Sequence, residues 1–430
     1  MRRFIQKNAA FFVQNRNALM SKMQPNAIAI FHSGDQFLKS ADATHTFYQN
    51  PDLFYLSGID QEDTILVLFP DAPVPEWREV LFLKQTSEQI KIWEGYKYTQ
   101  EEANELSGIK TIKWNSTFNS LIKMMMHQAQ HVYINLNEHD RSHFEGDYKD
   151  FRLFTELKSQ FPLHQYHRSA PIVSQLRTAK KDYEIDLMQK AANITKDSFV
   201  HLLKNMRHFK HEFEIEAEIT YFFNKNRAEH AYNPIIAGGA NANVLHYNDN
   251  DKPLKAGDLI LMDYGARFGN YASDMTRTIP YSGTFSERQK TIYNACLNVF
   301  KKSKTLMSCS ISLLDYNNEC KKIMESELIQ IGLLDKNEVL KQDPNNPLYR
   351  KYFPHGVAHF LGLDVHDVGN HYEILPENAV LTCEPGIYIQ DEGIGIRIEN
   401  DILIKSSGAH IDFLNNCPIE VEEIESLMHS

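Results

Sequence analysis

No stretch of the chain approaches the ~20 consecutive apolar residues that a membrane-spanning helix requires, which argues against a helical membrane protein. Cysteine is scarce. The five present (Cys296, Cys309, Cys320, Cys383 and Cys417) are odd in number and show no CxxC spacing. That excludes a disulfide framework and fits a reducing compartment. Cys383, beside Glu384, reads as a buried core thiol. Positive charge is in the minority, with 45 Lys and Arg against 56 Asp and Glu, a net charge of −11. This balance argues against nucleic acid or an anionic membrane as the main partner. Repeats and low-complexity tracts are absent. At the N-terminus, MRRFIQKNAAFFVQNRNALM carries two arginines, but its apolar stretch spans only Ala9 to Val13. A secretory signal needs a longer one, so an amphipathic helix and a cytoplasmic location are expected.

What is present is an ordinary globular composition, 42% apolar and 23% charged over 430 residues, enough for two or three domains with real cores. Residues 1–172 read as a smaller α/β domain. Strand-like runs at 26–34, 63–70, 79–84 and 128–137 alternate with helical composition at 100–108 and 118–129, which predicts a mixed sheet with helices packed on it. Pro171 is expected to end the upstream element. Residues 173–430 read as an α+β domain. Helices are predicted from Lys181 (with Ile185, Met188, Ala192, Ile194 and Phe199 inward), over 213–227, over 286–307 with Ser286 as N-cap, and over 315–334. Residues 335–353 read as a polar loop.

The chemistry concentrates in the second domain. In LILMDYGARFGNYASDMTRTIP (259–280), four apolar residues run into Asp263, and Asp274 follows eleven residues later. With Gly269-Asn270 as the tip of a tight hairpin, Asp263 pairs with Thr276, and Asp274 becomes its diagonal neighbour on the same face. Two carboxylates aimed at one point suit a divalent cation, although a turn-capping Asp beside a salt-bridged one is the commoner arrangement. FPHGVAHFLGLDVHDVG (353–369) holds His355, His359 and His366, in a segment whose Pro354, Gly356 and Gly362 oppose a helix. In LTCEPGIYIQDEGIGIRIENDILI (381–404), Glu384 ends an apolar strand as Asp263 does. A turn is expected near Asp391–Gly393. Beyond it Ile396 and Ile398 face one way, and Arg397 and Glu399 the other, as a solvated edge or as the lining of a polar site. Asp263, Asp274, His359, Glu384 and Glu399 together make an oxygen-rich set of five donors. Such a set suits Mn²⁺, Co²⁺ or Fe²⁺ better than a structural zinc site, and bridging carboxylates can hold two ions ~3.5–4 Å apart with a shared water or hydroxide.

These motifs, in this order and spacing, resemble the pita-bread metallopeptidases, and among them the aminopeptidase P (Xaa-Pro aminopeptidase) family most. NPDLFYLSGIDQEDTILVL resembles that family's N-terminal domain, and PIVSQLRTAKKDYEIDLMQKAA its interdomain helix, so the likeness spans nearly the whole chain. It implies a C-terminal pita-bread catalytic domain behind a creatinase/prolidase-like N-terminal domain. The five residues above would bind two divalent ions, usually Mn²⁺, with Co²⁺, Fe²⁺ or Zn²⁺ as alternatives. His246, His355 and His366 match positions that contact substrate or shuttle protons, Arg397 an arginine that orients ligands, and Tyr388 a tyrosine near the site. Tyr264, Ala266 and Asn400 depart from the family pattern next to ligands. The implied activity is release of the N-terminal residue from peptides with proline second, by a homodimer or homotetramer. Prolidase, creatinase and a non-catalytic pita-bread binding protein are the alternatives, and the intact ligand set counts against the last two.

Overall fold

A computed structural model describes residues 8–139, 141, 146–406, 408 and 410–430. The chain divides into two compact units, one reaching to Arg177 and one running from Thr178 to Ser430. Arg2 and Arg3 of the N-terminal segment lie outside the described residues. Downstream of them, Ala9–Met20 is helical as expected, with the Asn8 side chain accepting the Phe11 N–H.

The first unit is built on a six-stranded sheet in the order Thr111–Trp114, Glu79–Leu83, Ile65–Leu68, Ala27–His32, His131–Ile134, Gln165–Arg168. Ile65–Leu68 runs antiparallel to both neighbours and the remaining pairs are parallel. The two outer strands lack apolar runs, and their residues are exposed or half-buried, which is why the pattern missed them. The inner strands are mostly apolar because helices cover them. Ile28, Val67, Phe82 and Val132 pack with Ile122 and Met125 of the helix Phe118–Met126.

Pro171 does not end an element. It stands in the first turn of the helix Ala170–Thr178, where its missing N–H costs nothing. The next helix, Asp182–Asn205, buries Leu187, Met188, Ala191, Ala192, Phe199 and Leu202. Ile185 and Ile194 are only half-buried, so the apolar face is rotated from the expected one. Helices Glu212–Lys225, Glu287–Leu306 and Leu313–Gln330 follow, and Ser286 caps the second of these by accepting the Gln289 N–H. Residues 335–353, expected as a loop, carry a short helix, Lys336–Val339, and a 3-10 turn, Leu348–Lys351.

The sheets of the second unit are short because two long hairpins break midway. Asp263 pairs with Thr276 as the spacing predicted. The tip Gly269-Asn270 has both φ values positive, +59° and +71°, the conformation of a tight hairpin turn. Between these pairs the ladder is interrupted at Tyr264–Gly265 and Ser273–Met275. Gly265 is required there, since a Cβ would stand 1.8 Å from the Ser273 carbonyl oxygen. The C-terminal hairpin behaves alike. Val380–Cys383 pairs with Asn400–Ile404, and Gly386–Ile389 with Ile394–Arg397, so the break falls at Glu384-Pro385 and Ile398-Glu399. Pro385 cannot continue a ladder. All four acids singled out from the sequence stand at or beside these breaks.

Candidate metal centre

Strand breaks free side chains to turn inward, and here they converge. Single donor atoms of Asp274, His359 and Glu399 lie within 4.8 Å of one another, all three residues being buried. His359 Nε2 is 3.5 Å from Asp274 Oδ2 and 3.7 Å from Glu384 Oε1. Asp263 joins them through Tyr232, whose hydroxyl lies 2.5 Å from Asp263 Oδ1 and also contacts Asp274 Oδ1. Asp274 does not sit within a strand as expected. It occupies the break, where the Asp401 carboxylate accepts its backbone N–H at 3.1 Å.

The charge balance shows what the cluster needs. Four carboxylates face one guanidinium, that of Arg397, whose Nη2 donates to Asp263 Oδ2 at 2.5 Å. Two like charges ~4 Å apart repel by about 4 kcal/mol even at an effective dielectric of ~20, so one arginine cannot offset the group. Burial, then the Asp274 charge, raises Asp263 despite Arg397. Burial, then the charges of Asp274, Glu384 and Asp263, holds Glu399 well above the carboxylate range. Glu384 is pushed up to about 7 by burial and by its acidic neighbours, against the pull of His359 and Arg397. Divalent cations would relieve all three. The His359 imidazole is set for such a role, because its Nδ1 lies 2.9 Å from the Phe360 carbonyl. With the proton held there, the Nε2 lone pair faces the carboxylates. The donor set therefore fits hard or borderline divalent ions.

A ring of polar contacts fixes this set. Thr276 Oγ1 donates to Glu399 Oε2 at 2.6 Å and accepts from Arg397 Nε at 3.1 Å. Arg397 Nη1 donates to the Tyr388 hydroxyl at 2.8 Å, which in turn meets His355 Nε2 at 2.9 Å. His355 Nδ1 is 2.7 Å from the Gly356 carbonyl. Burial, then Arg397, then His246 lowers the His355 imidazole to about 3, so it stands neutral with one tautomer. Arg397 and Glu399 are thus the lining of a polar site and not a solvated edge. The ring of His366 packs edge-on against His359, with centroids 4.4 Å apart. His246 lies on an exposed turn.

Two contributors were missed from the sequence. Tyr232, in HAYNPI, lies outside every motif. Arg277, fully buried, donates to the Glu399 carbonyl at 2.7 Å and to Asn400 Oδ1 at 2.7 Å. Asn400 in turn donates to the Asp412 carboxylate, so the amide bridges a cation and an acid and leaves the ligands untouched. Tyr264, also a departure, is buried against Phe223 with its hydroxyl 3.3 Å from Ser198 Oγ.

Tyr232→Phe is expected to lower metal affinity about 10–100-fold, the usual cost of losing a group that orients a ligand. Titration of metal into the apo protein checks this, and an unchanged affinity would show that Asp263 and Asp274 need no shared donor.

Residues 186–406 match metallopeptidase family M24, and residues 12–133 match the N-terminal domain of aminopeptidase P. The Xaa-Pro aminopeptidases of Haemophilus influenzae and Escherichia coli K12 are each 32% identical to this chain, over 97% of both sequences. Human Xaa-Pro aminopeptidase 3 is 28% identical over 97% of this chain and 85% of its own. Zinc-substituted E. coli aminopeptidase P in complex with product superposes with a TM-score of 0.87 at 30% identity, covering 99% of each chain. The same enzyme with the inhibitor Pro-Leu gives the same figures. With its two family matches, its full-length relatives and its inward-turned carboxylates, this chain belongs to the aminopeptidase P group of the M24 metallopeptidases.

Proposed function

We propose that this chain is a metal-dependent aminopeptidase that hydrolyses the bond between the N-terminal residue and a proline in second position. The observation that carries the reading is the buried meeting of Asp274, His359 and Glu399 within 4.8 Å, with Glu384 beside His359 and Asp263 joined to Asp274 through Tyr232, in a chain that matches Xaa-Pro aminopeptidases over 97% of its length. Those five residues would hold two divalent ions, which when bound supply the Lewis acid for the scissile carbonyl and activate the attacking water. Glu384 would accept the proton of the attacking water and return it to the departing proline nitrogen. His246 or His355 would stabilise the charge that develops on the carbonyl oxygen, and His366 would contact substrate beside His359. Arg397 holds Asp263 and, through Tyr388, the His355 ring.

Manganese is the proposed metal, since four carboxylates and one imidazole suit it. The five cysteines, all free, support a cytoplasmic location, and no helix among the described residues is long and apolar enough to cross a membrane. A homodimer or homotetramer is the proposed assembly. The proposed domains, 1–172 and 173–430, divide within five residues of the boundary between the compact units.

The reading against prolidase rests on how the site treats chain beyond proline. A dipeptidase needs a cation or wall to capture the carboxylate directly after proline. Of the arginines within the ligand motifs, Arg397 is committed to Asp263 and Tyr388, Arg277 to the Glu399 carbonyl and Asn400, and Arg267 pairs with Glu229. Cleavage of Ala-Pro, Ala-Pro-Ala and Ala-Ala-Ala by metal-loaded protein tests the function. Ala-Pro-Ala is expected to match or exceed Ala-Pro in kcat/KM, with Ala-Ala-Ala poor. A strict preference for Ala-Pro would make the protein a prolidase, and no cleavage of any of the three would make it a binding protein.

A further inference from the structure

We infer that Glu212 is the residue that positions His246. The proposal rests on the reading of His246 as a transition-state donor. Glu212 opens the helix Glu212–Lys225 and is fully buried, outside every motif that pointed to the site. A buried carboxylate is costly unless its lone pairs are filled. Here four donors fill them, and all four belong to the segment 238–252. Oε1 accepts the Gly238 N–H at 2.8 Å and Asn241 Nδ2 at 2.9 Å. Oε2 accepts the Tyr247 hydroxyl at 2.8 Å and the Lys252 N–H at 2.9 Å. A second tie lies one helical turn on, where Glu216 Oε2 accepts Asn250 Nδ2 at 2.9 Å. One face of one helix thus fastens the start, the middle and the end of the segment that carries His246.

His246 itself is exposed, in a turn just after the 3-10 helix Gly239–Asn243 where the Tyr247 N–H donates to the Val244 carbonyl at 3.2 Å, and it belongs to no strand ladder. Its chain neighbour Tyr247 is the one tied to Glu212. A shift of about 1 Å in a reacting group can cost about 10²-fold in rate, so a carboxylate that sets this segment can govern turnover without touching substrate. Glutamine cannot replace it. An amide nitrogen at either oxygen position would face a fixed backbone N–H, that of Gly238 or that of Lys252, donor against donor.

The test is a double-mutant cycle between Glu212→Gln and His246→Ala, read as kcat and KM on Ala-Pro-Ala with metal content measured for each protein. His246→Ala alone is expected to lower kcat by about 10²–10³, the range for losing one transition-state donor. Glu212→Gln alone is expected to lower kcat by up to about 10²-fold, with metal retained. In the His246→Ala background Glu212→Gln should then change kcat little, because its effect runs through a side chain already absent. Should Glu212→Gln fail to fold, Tyr247→Phe, which removes one of the four donors, enters the same cycle with a smaller expected loss. An unaltered kcat in His246→Ala would overturn the role of His246 itself, and the proposal with it. If His246→Ala is impaired but the loss from Glu212→Gln is equal in both backgrounds, or absent in both, the positioning role alone is refuted.

Discussion

Glu399→Ala is expected to abolish both full metal occupancy and peptide hydrolysis, and His359→Ala to do the same. The reasons differ. Glu399 is 2% exposed, accepts from Thr276, and stands against Asp274 and Glu384. Removing it takes out a carboxylate able to bridge two ions. It also leaves the Thr276 hydroxyl, which now serves both Glu399 and Arg397, without its acceptor. His359 is the one nitrogen donor of the set. Its Nε2 points between Asp274 and Glu384, a place a methyl group cannot fill. Elemental analysis and kcat/KM on Ala-Pro-Ala check both variants, with circular dichroism to establish that each is folded. Wild-type turnover in either variant would mean that the convergence of these side chains does not carry the chemistry.

Chelation has an effect of similar size. Protein dialysed against a chelator should lose its peptidase activity and regain it most fully with Mn²⁺. Its melting temperature should rise as metal is added back, since ligand at about 100 times its Kd contributes about 2.7 kcal/mol. The pH dependence has a definite sign. Burial and the neighbouring acids raise the Glu384 carboxyl to about 7, so below that pH a proton competes with metal for it. Affinity should therefore weaken as pH falls from 8 to 6. Metal titrations at several pH values test this, and an affinity independent of pH would show that Glu384 is not a ligand. Full activity in a demonstrably metal-free sample would remove the mechanism altogether.

The acids were legible because they break a physical rule. Asp263 and Glu384 each end an apolar strand, where a charge is costly unless something compensates it, and the type I′ hairpin fixes where Asp274 falls relative to Asp263. The outcome differs in one respect. Asp274 reaches the site from a break in the ladder, and the sequence sign of that break, Gly265, became readable only once its backbone was seen against Ser273. Tyr232 was not legible, because a tyrosine among polar residues carries no period and no chemistry until its two carboxylates are in place. Glu212 was hidden for a similar reason. At the head of a helix rich in glutamate it looks like an ordinary first-turn acid, and only its four partners distinguish it. In the N-terminal unit, the covered strands announced themselves as apolar runs, while Thr111–Trp114 and Gln165–Arg168 at the edges did not. Pro171 misled because a proline reads as a terminator in sequence and serves equally well in a helix's first turn.

Two divalent ions held among five side chains are the heart of the proposed chemistry. Anomalous diffraction at the manganese edge from crystals of the Mn²⁺-loaded protein tests it most directly. Two peaks are predicted, both enclosed by Asp263, Asp274, His359, Glu384 and Glu399. A single peak, or peaks bound elsewhere while the crystals retain peptidase activity, would contradict it.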